Sequence, residues 1–217
     1  MRLRLFLMLL GAALVVATFT FPYWQPIFEN RVAAPEEAFP GLAADLQDDF
    51  LSLPQEQQRA YLAFAESDRT RALAMVTAAL APRTQLSEED QAMPEMVAPI
   101  TVASGTFQPI NAVRWGQGTV TIYEDASSAL TMRFEGYSML SGPDLHVYLS
   151  AADTPTSLAN MTVADVAPLD IGILKASDGS QNYTLPADTD LSLYGSVVVY
   201  SQSLDLIYTY APLFVRQ

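Results

Sequence analysis

From residue 99 to the end of the chain, hydrophobic residues recur at every second position in short runs, and this is the feature that most restricts the fold. Leu130, Met132 and Phe134 alternate with Thr131, Arg133 and Glu135, and Leu145, Val147 and Leu149 alternate with His146, Tyr148 and Ser150. A period of two sends alternate side chains to opposite faces, so each run forms a strand with one buried face. Val120 and Ile122 alternate with Thr121 and Tyr123 in the same way, and residues 197–200 and 206–210 are β-branched and aromatic runs. Turn-forming stretches such as Ser141-Gly142-Pro143-Asp144 and Ser177-Asp178-Gly179 separate the runs. Many short strands at intervals of about ten residues predict a mainly β domain over 99–217, an antiparallel β-sandwich or barrel.

The other end of the chain has a different character. Arg2 and Arg4 precede an apolar run over 5–21, interrupted only by Thr18 and Thr20. Its length is at the short end for a membrane-spanning helix. Pro22 would stop the helix, and Phe21, Tyr23, Trp24 and Phe28 suit the headgroup level. The expectation is a signal-anchor helix at 1–24 and a juxtamembrane stretch at 25–40. On that expectation the arginines stay cytoplasmic, and the bulk of a single-pass protein lies on the extracytoplasmic, periplasmic side of the cell membrane. The competing reading is a cleaved signal peptide, with Val15 and Ala17 before the cut and a secreted mature chain.

Residues 41–82 read as short helices. Leu42, Leu46 and Phe50 share one stripe, and Ser52 with Gln55 has the spacing of a capping box. A second helix runs through Tyr61, Leu62, Phe64 and Ala65. Asp68 caps a third, with Leu73, Val76 and Leu80 on one face, and Pro82 ends it. Some forty residues make a poor core alone, so this segment is expected to pack on itself, on the β domain, or on a second copy of the chain. Residues 83–98 are acidic, contain Pro94 and show no period, which reads as a linker.

Composition excludes several chemistries. The 217-residue chain has no cysteine, which removes Fe–S clusters, thiolate metal sites, covalent haem and cysteine nucleophiles. Its formal net charge is −13, and from residue 101 on there are eleven Asp/Glu against four Lys/Arg. Such a surface repels phosphate backbones, so nucleic acid is not an expected partner.

Six pieces of the C-terminal half occur in a set order. They are Gly105-Thr106-Phe107; Gly142-Pro143-Asp144-Leu145-His146-Val147-Tyr148-Leu149-Ser150; Ile171-Gly172-Ile173-Leu174-Lys175; Gly179-Ser180-Gln181-Asn182-Tyr183-Thr184-Leu185-Pro186; Ser196-Val197-Val198-Val199-Tyr200-Ser201; and Tyr210-Ala211-Pro212-Leu213. Together, over roughly 101–215, they resemble the DM-thirteen family, the DOMON-associated electron-transfer domain. The resemblance implies a β domain of exported bacterial proteins and electron transfer through a cysteine near the domain's end. At that position this chain has Ser201, and a hydroxyl does not cycle through thiol oxidation states.

His146 is the single histidine, so no multi-histidine metal site exists within the chain and any Ser–His–Asp triad would have to use it. It sits mid-strand, with Asp144 and Tyr148 on its own face. A haem reading would pair it with Met132 or Met139. Asp144, Asp188 and Asp190 are the carboxylates that calcium binding or a carboxylate-based hydrolase would recruit, although Asp188-Thr189-Asp190 lacks the rest of a calcium loop. Met93 and Met96 are a weak soft-metal pair. The reading favoured by the residues is a non-catalytic binding or interaction module with no cofactor. Asp144, His146, Tyr148 and Ser201 form its candidate face, the membrane is one partner, and a protein or glycan is another. The redox partner and the calcium-binding or hydrolytic protein are the alternatives.

Overall fold

The computed structural model describes residues 38–215. The expected anchor at 1–24 and most of the juxtamembrane stretch lie outside them. No helix among the described residues is long and apolar enough to cross a membrane.

A 3-10 turn (Ala44–Leu46) leads into α1 (Gln47–Ser52), followed by α2 (Gln55–Ser67) and α3 (Arg69–Leu80). Leu42 and Phe50 bury as their spacing predicts, and Phe50 packs on Tyr61 of α2 at 6.4 Å between ring centres. The capping box is corrected. Pro54 occupies the N-cap of α2, and the Ser52 hydroxyl donates back to the Asp49 carbonyl at 2.6 Å. Proline at this boundary supplies the extended backbone that a cap needs, and serine satisfies its own helix end instead. Asp68 does cap α3, accepting from Arg71 N at 3.0 Å. The buried stripe of α3 is Ala72, Met75 and Val76, turned one residue from the expected Leu73–Val76–Leu80 line. Leu73 and Leu80 remain half-buried.

Residues 83–98 are not a featureless connection. They contain α4 (Glu88–Gln91), capped by Ser87, and run along the edge of a sheet. Buried Arg133 donates from Nη1 to the carbonyls of Gln91 and Ala92 and to Asn182 Oδ1, while its Nε reaches Glu135. Asn182 Nδ2 donates to the Ala92 carbonyl at 2.7 Å, and Arg83 pairs with Asp178. One guanidinium therefore satisfies the backbone of a segment that has no hydrophobic period of its own. Arg133→Met keeps the volume but orphans these acceptors. It should cost about 2–3 kcal/mol and open residues 86–96 to limited proteolysis, as read by urea denaturation and fragment mass.

The strands form two antiparallel five-stranded sheets. Sheet A has the order β10 (Phe214–Val215), β1 (Ile100–Thr106), β3 (Gly116–Glu124), β4 (Leu130–Met139), β7 (Gln181–Thr184). Sheet B has the order β2 (Gln108–Pro109), β9 (Leu206–Pro212), β8 (Ser196–Ser201), β5 (Leu145–Ser150), β6 (Leu169–Ile173). Val120, Ile122, Met132 and Phe134 bury from sheet A, and Leu145, Val147, Leu149, Val197 and Val199 from sheet B, as their alternation dictates. Phe134 sits among Phe107, Tyr137 and Tyr183 at 4.8 to 5.3 Å between ring centres. The layers approach closely at Gly105, where an added Cβ would lie 2.3 Å from the Pro212 carbonyl oxygen. These observations make the fold a β-sandwich rather than a closed barrel.

Sheet B departs from simple alternation on its outer face. Val198 and Tyr200 point away from the sandwich core yet are buried with Ile207 beneath Met161. Met161 belongs to a 3-10 turn (Leu158–Met161) whose chain is tied back by Ala151 N and Ser150 Oγ, both donating to the Met161 carbonyl. β8 consequently buries both faces, as its continuous apolar run allows.

Candidate functional site

Beside this covered patch, the outer face of β5 presents His146 and Tyr148. The edge strand β6 runs antiparallel to it, with Asp170 opposite Tyr148 and Ile173 opposite His146. The register slips between Val147 and Tyr148, and Gly172 takes φ +130°, which L side chains rarely adopt. The resulting bulge aims the Asp170 carboxylate at the imidazole. Asp170 Oδ1 is fixed by the Gly172 N–H at 2.8 Å.

His146 lies between two carboxylates. Its Nδ1 is 3.0 Å from Asp170 Oδ2, and its Nε2 is 3.7 Å from Asp144 Oδ1. The Nδ1–H tautomer is the neutral form that donates to Asp170, and an imidazolium would address both acids. Asp144 holds its place through backbone geometry, with φ 50° and a carbonyl that accepts from Gln202 N at 3.0 Å. The Gln202 side chain then closes the network, donating from Nε2 to the Tyr148 hydroxyl at 2.6 Å and to Asp170 Oδ2 at 3.2 Å. Burial holds the Tyr148 phenol above its usual value, the Gln202 bond opposes this, and the Asp170 and Asp144 charges add to the rise. Tyr148 meets Tyr200 edge-on at 5.8 Å. Tyr200 donates to Asp205 Oδ1, and burial together with that bond pushes its phenol up to about 12.

The structure thus brings together Asp144, His146 and Tyr148, but not Ser201. Ser201 faces inward from β8, opposite Leu145, and is fully buried. Its hydroxyl donates to the Pro143 carbonyl at 2.6 Å and accepts from Leu204 N at 3.3 Å. It pins the Gly142-Pro143-Asp144 turn to the β8–β9 turn, so it acts on the site only by positioning Asp144. The haem pairing is corrected as well. Met132 and Met139 are buried in the inner layer of sheet A, Met139 accepting from the Tyr137 hydroxyl, whereas His146 is on the outside of sheet B. Asp190 caps the 3-10 turn Leu191–Leu193 through Ser192, and those bonds hold its carboxyl below the usual range. Among the described residues no three His, Asp or Glu side chains converge as a metal site would need.

Asp170 and Gln202 were missed by sequence reasoning. Each stands beside a turn or bulge, at Asp170-Ile171-Gly172 and Ser201-Gln202-Ser203. Their convergence depends on which strands pair and in what register, and local pattern does not encode that.

These observations define an antiparallel β-sandwich domain with a hydrogen-bonded, acid-flanked histidine on one outer face. Residues 107–213 match the family model described as Electron transfer DM13, so the chain carries a DM13 domain. No curated protein and no solved structure matched the chain.

Proposed function

We propose that this protein is a non-catalytic, extracytoplasmic binding module, held at the membrane by its N-terminal segment, and that the Asp144–His146–Tyr148–Asp170 face engages its partner. One observation carries the reading. Both imidazole nitrogens of the only histidine face carboxylates, so Nε2 addresses Asp144 where a triad would hold a nucleophile's hydroxyl. A histidine held in this way orients hydrogen bonds for recognition, with Tyr148 beside it as an amphipathic contact surface. The partner is a protein or a glycan, and the helical segment is a surface through which copies of the chain could associate.

Two measurements test this. Protease accessibility in intact cells should place the β domain on the outer side of the membrane, and recovery from the cytosol would defeat the reading. In a glycan array and a pull-down with the full chain, His146→Ala and Asp170→Asn should each reduce captured partner at least roughly tenfold, the loss expected of a central contact. Each should shift folding stability by less than about 1 kcal/mol, because the network is partly solvated. Retained capture would show that the face is not used.

The family description favours a second reading, electron transfer. The chain has no cysteine, and Ser201 is committed to two backbone groups. A visible absorbance band that bleaches on reduction of the purified chain would favour the redox reading over the binding one.

A further inference from the structure

An open cleft of about 340 Å³ lies between the end of α3 and the β4–β5 and β6–β7 loops, within the size range of small-molecule sites. Its walls include Ala78 and Thr84 from the helical side, Ser141 and Leu145 from the β4–β5 side, and Leu174 and Ser177 from the β6–β7 side. Ser177 is only 7% exposed, and its hydroxyl has no hydrogen-bond partner. An unpaired hydroxyl in a buried position is costly, and native folds rarely leave one unanswered. The next group inward is also orphaned. Gly142 lines the cleft, a Cβ there would fall 2.5 Å from the Tyr208 hydroxyl, and that buried hydroxyl has no partner.

The charges of the cleft are already engaged. Lys175 Nζ donates to the Asn182 carbonyl at 2.6 Å and stands over the Tyr183 ring, while Asp144 faces His146. They are opposite in sign, so they give no net preference for an ion. Hydroxyl groups alternating with aliphatic walls remain, which is the complement of a ligand with hydroxyls on its edges and C–H bonds on its faces. We infer that this cleft is a binding site for a neutral, monosaccharide-sized polyol. It shares only Asp144 with the His146 face and stands or falls independently of it.

Saturation-transfer NMR on the full chain tests the site with glucose, galactose, mannose and N-acetylglucosamine as probes, and with acetate and cyclohexanol alongside. Transfer to at least one sugar, exceeding that to acetate and cyclohexanol, is expected. Ala81→Trp, at an exposed position on the cleft wall, should abolish it. Ser177→Ala should weaken it roughly fivefold, the equivalent of one neutral hydrogen bond, with an unchanged circular dichroism spectrum. His146→Ala should leave it intact, even where it removes capture of a partner at the other face. No transfer to any sugar, transfer mainly to acetate or cyclohexanol, or sugar binding indifferent to Ala81→Trp or Ser177→Ala would overturn the assignment.

Discussion

Phe134→Ala lowers the stability of the domain by about 3–5 kcal/mol, the cost of emptying a fully packed aromatic site. Phe134 has no exposed surface and touches three other rings, Phe107, Tyr137 and Tyr183, so the gap cannot close by one neighbour moving. Its strand partners are Val120 on β3 and Gln181 on β7, so the cavity would open on a strand paired along both sides. Each kcal/mol is worth roughly 2–4 °C in a domain of this size, so calorimetry should show a melting temperature lower by about 6–20 °C. Phe134→Leu should lose markedly less, because most of the volume is retained. Equal losses for the two substitutions would mean that ring contacts, not cavity volume, govern the site.

High pH produces the second large effect. Burial raises the phenols of Tyr61, Tyr137, Tyr183 and Tyr208 above the usual value of 10.0. The folded state keeps these protons while the unfolded chain releases them. The stabilisation is complete below pH 10 and is lost as pH rises from there through the folded values. Each such group lowers unfolding free energy by about 1.4 kcal/mol per pH unit in that window. Four of them together should unfold the domain steeply above pH 10. Tyrosinate absorbance should rise together with the loss of β-sheet circular dichroism. Ionisation of all tyrosines ahead of unfolding would show that water reaches the rings. Tyr208→Phe should flatten the loss by one group, and at neutral pH it should be neutral or stabilising, since the hydroxyl it removes has no partner.

The two faces of sheet B show how far the residue pattern reaches. Leu145, Val147 and Leu149 are inward, and His146 and Tyr148 outward, as their spacing requires. Strict alternation along β8 would leave Val198 and Tyr200 in solvent, but the turn carrying Met161 covers them. That cover comes from more than thirty residues away along the chain and has no periodic signature. The segment 83–98 is a similar case. Its polar sequence reads as linker, while its order comes from Arg133 and Asn182 across the sheet edge.

The candidate site divides along the same line. Asp144, His146 and Tyr148 are legible as a set because a strand brings every second residue to one side. Asp170 and Gln202 are not, because a bulge on β6 and the turn after β8 deliver them. Ser201 was grouped with the set through the family resemblance, and strand parity sends it to the opposite face.

Short-range information in the residues therefore decided that the second half is antiparallel β, which side chains each strand buries, where Asp68 starts a helix, and that no thiol chemistry is available. Strand order, register, the clasp on residues 83–98, the Asp170 carboxylate at His146 and the cleft beside Ser177 were settled only in three dimensions. Alternation and capping act over two to four residues, whereas strand pairing and packing join groups tens of residues apart whose proximity no local pattern records.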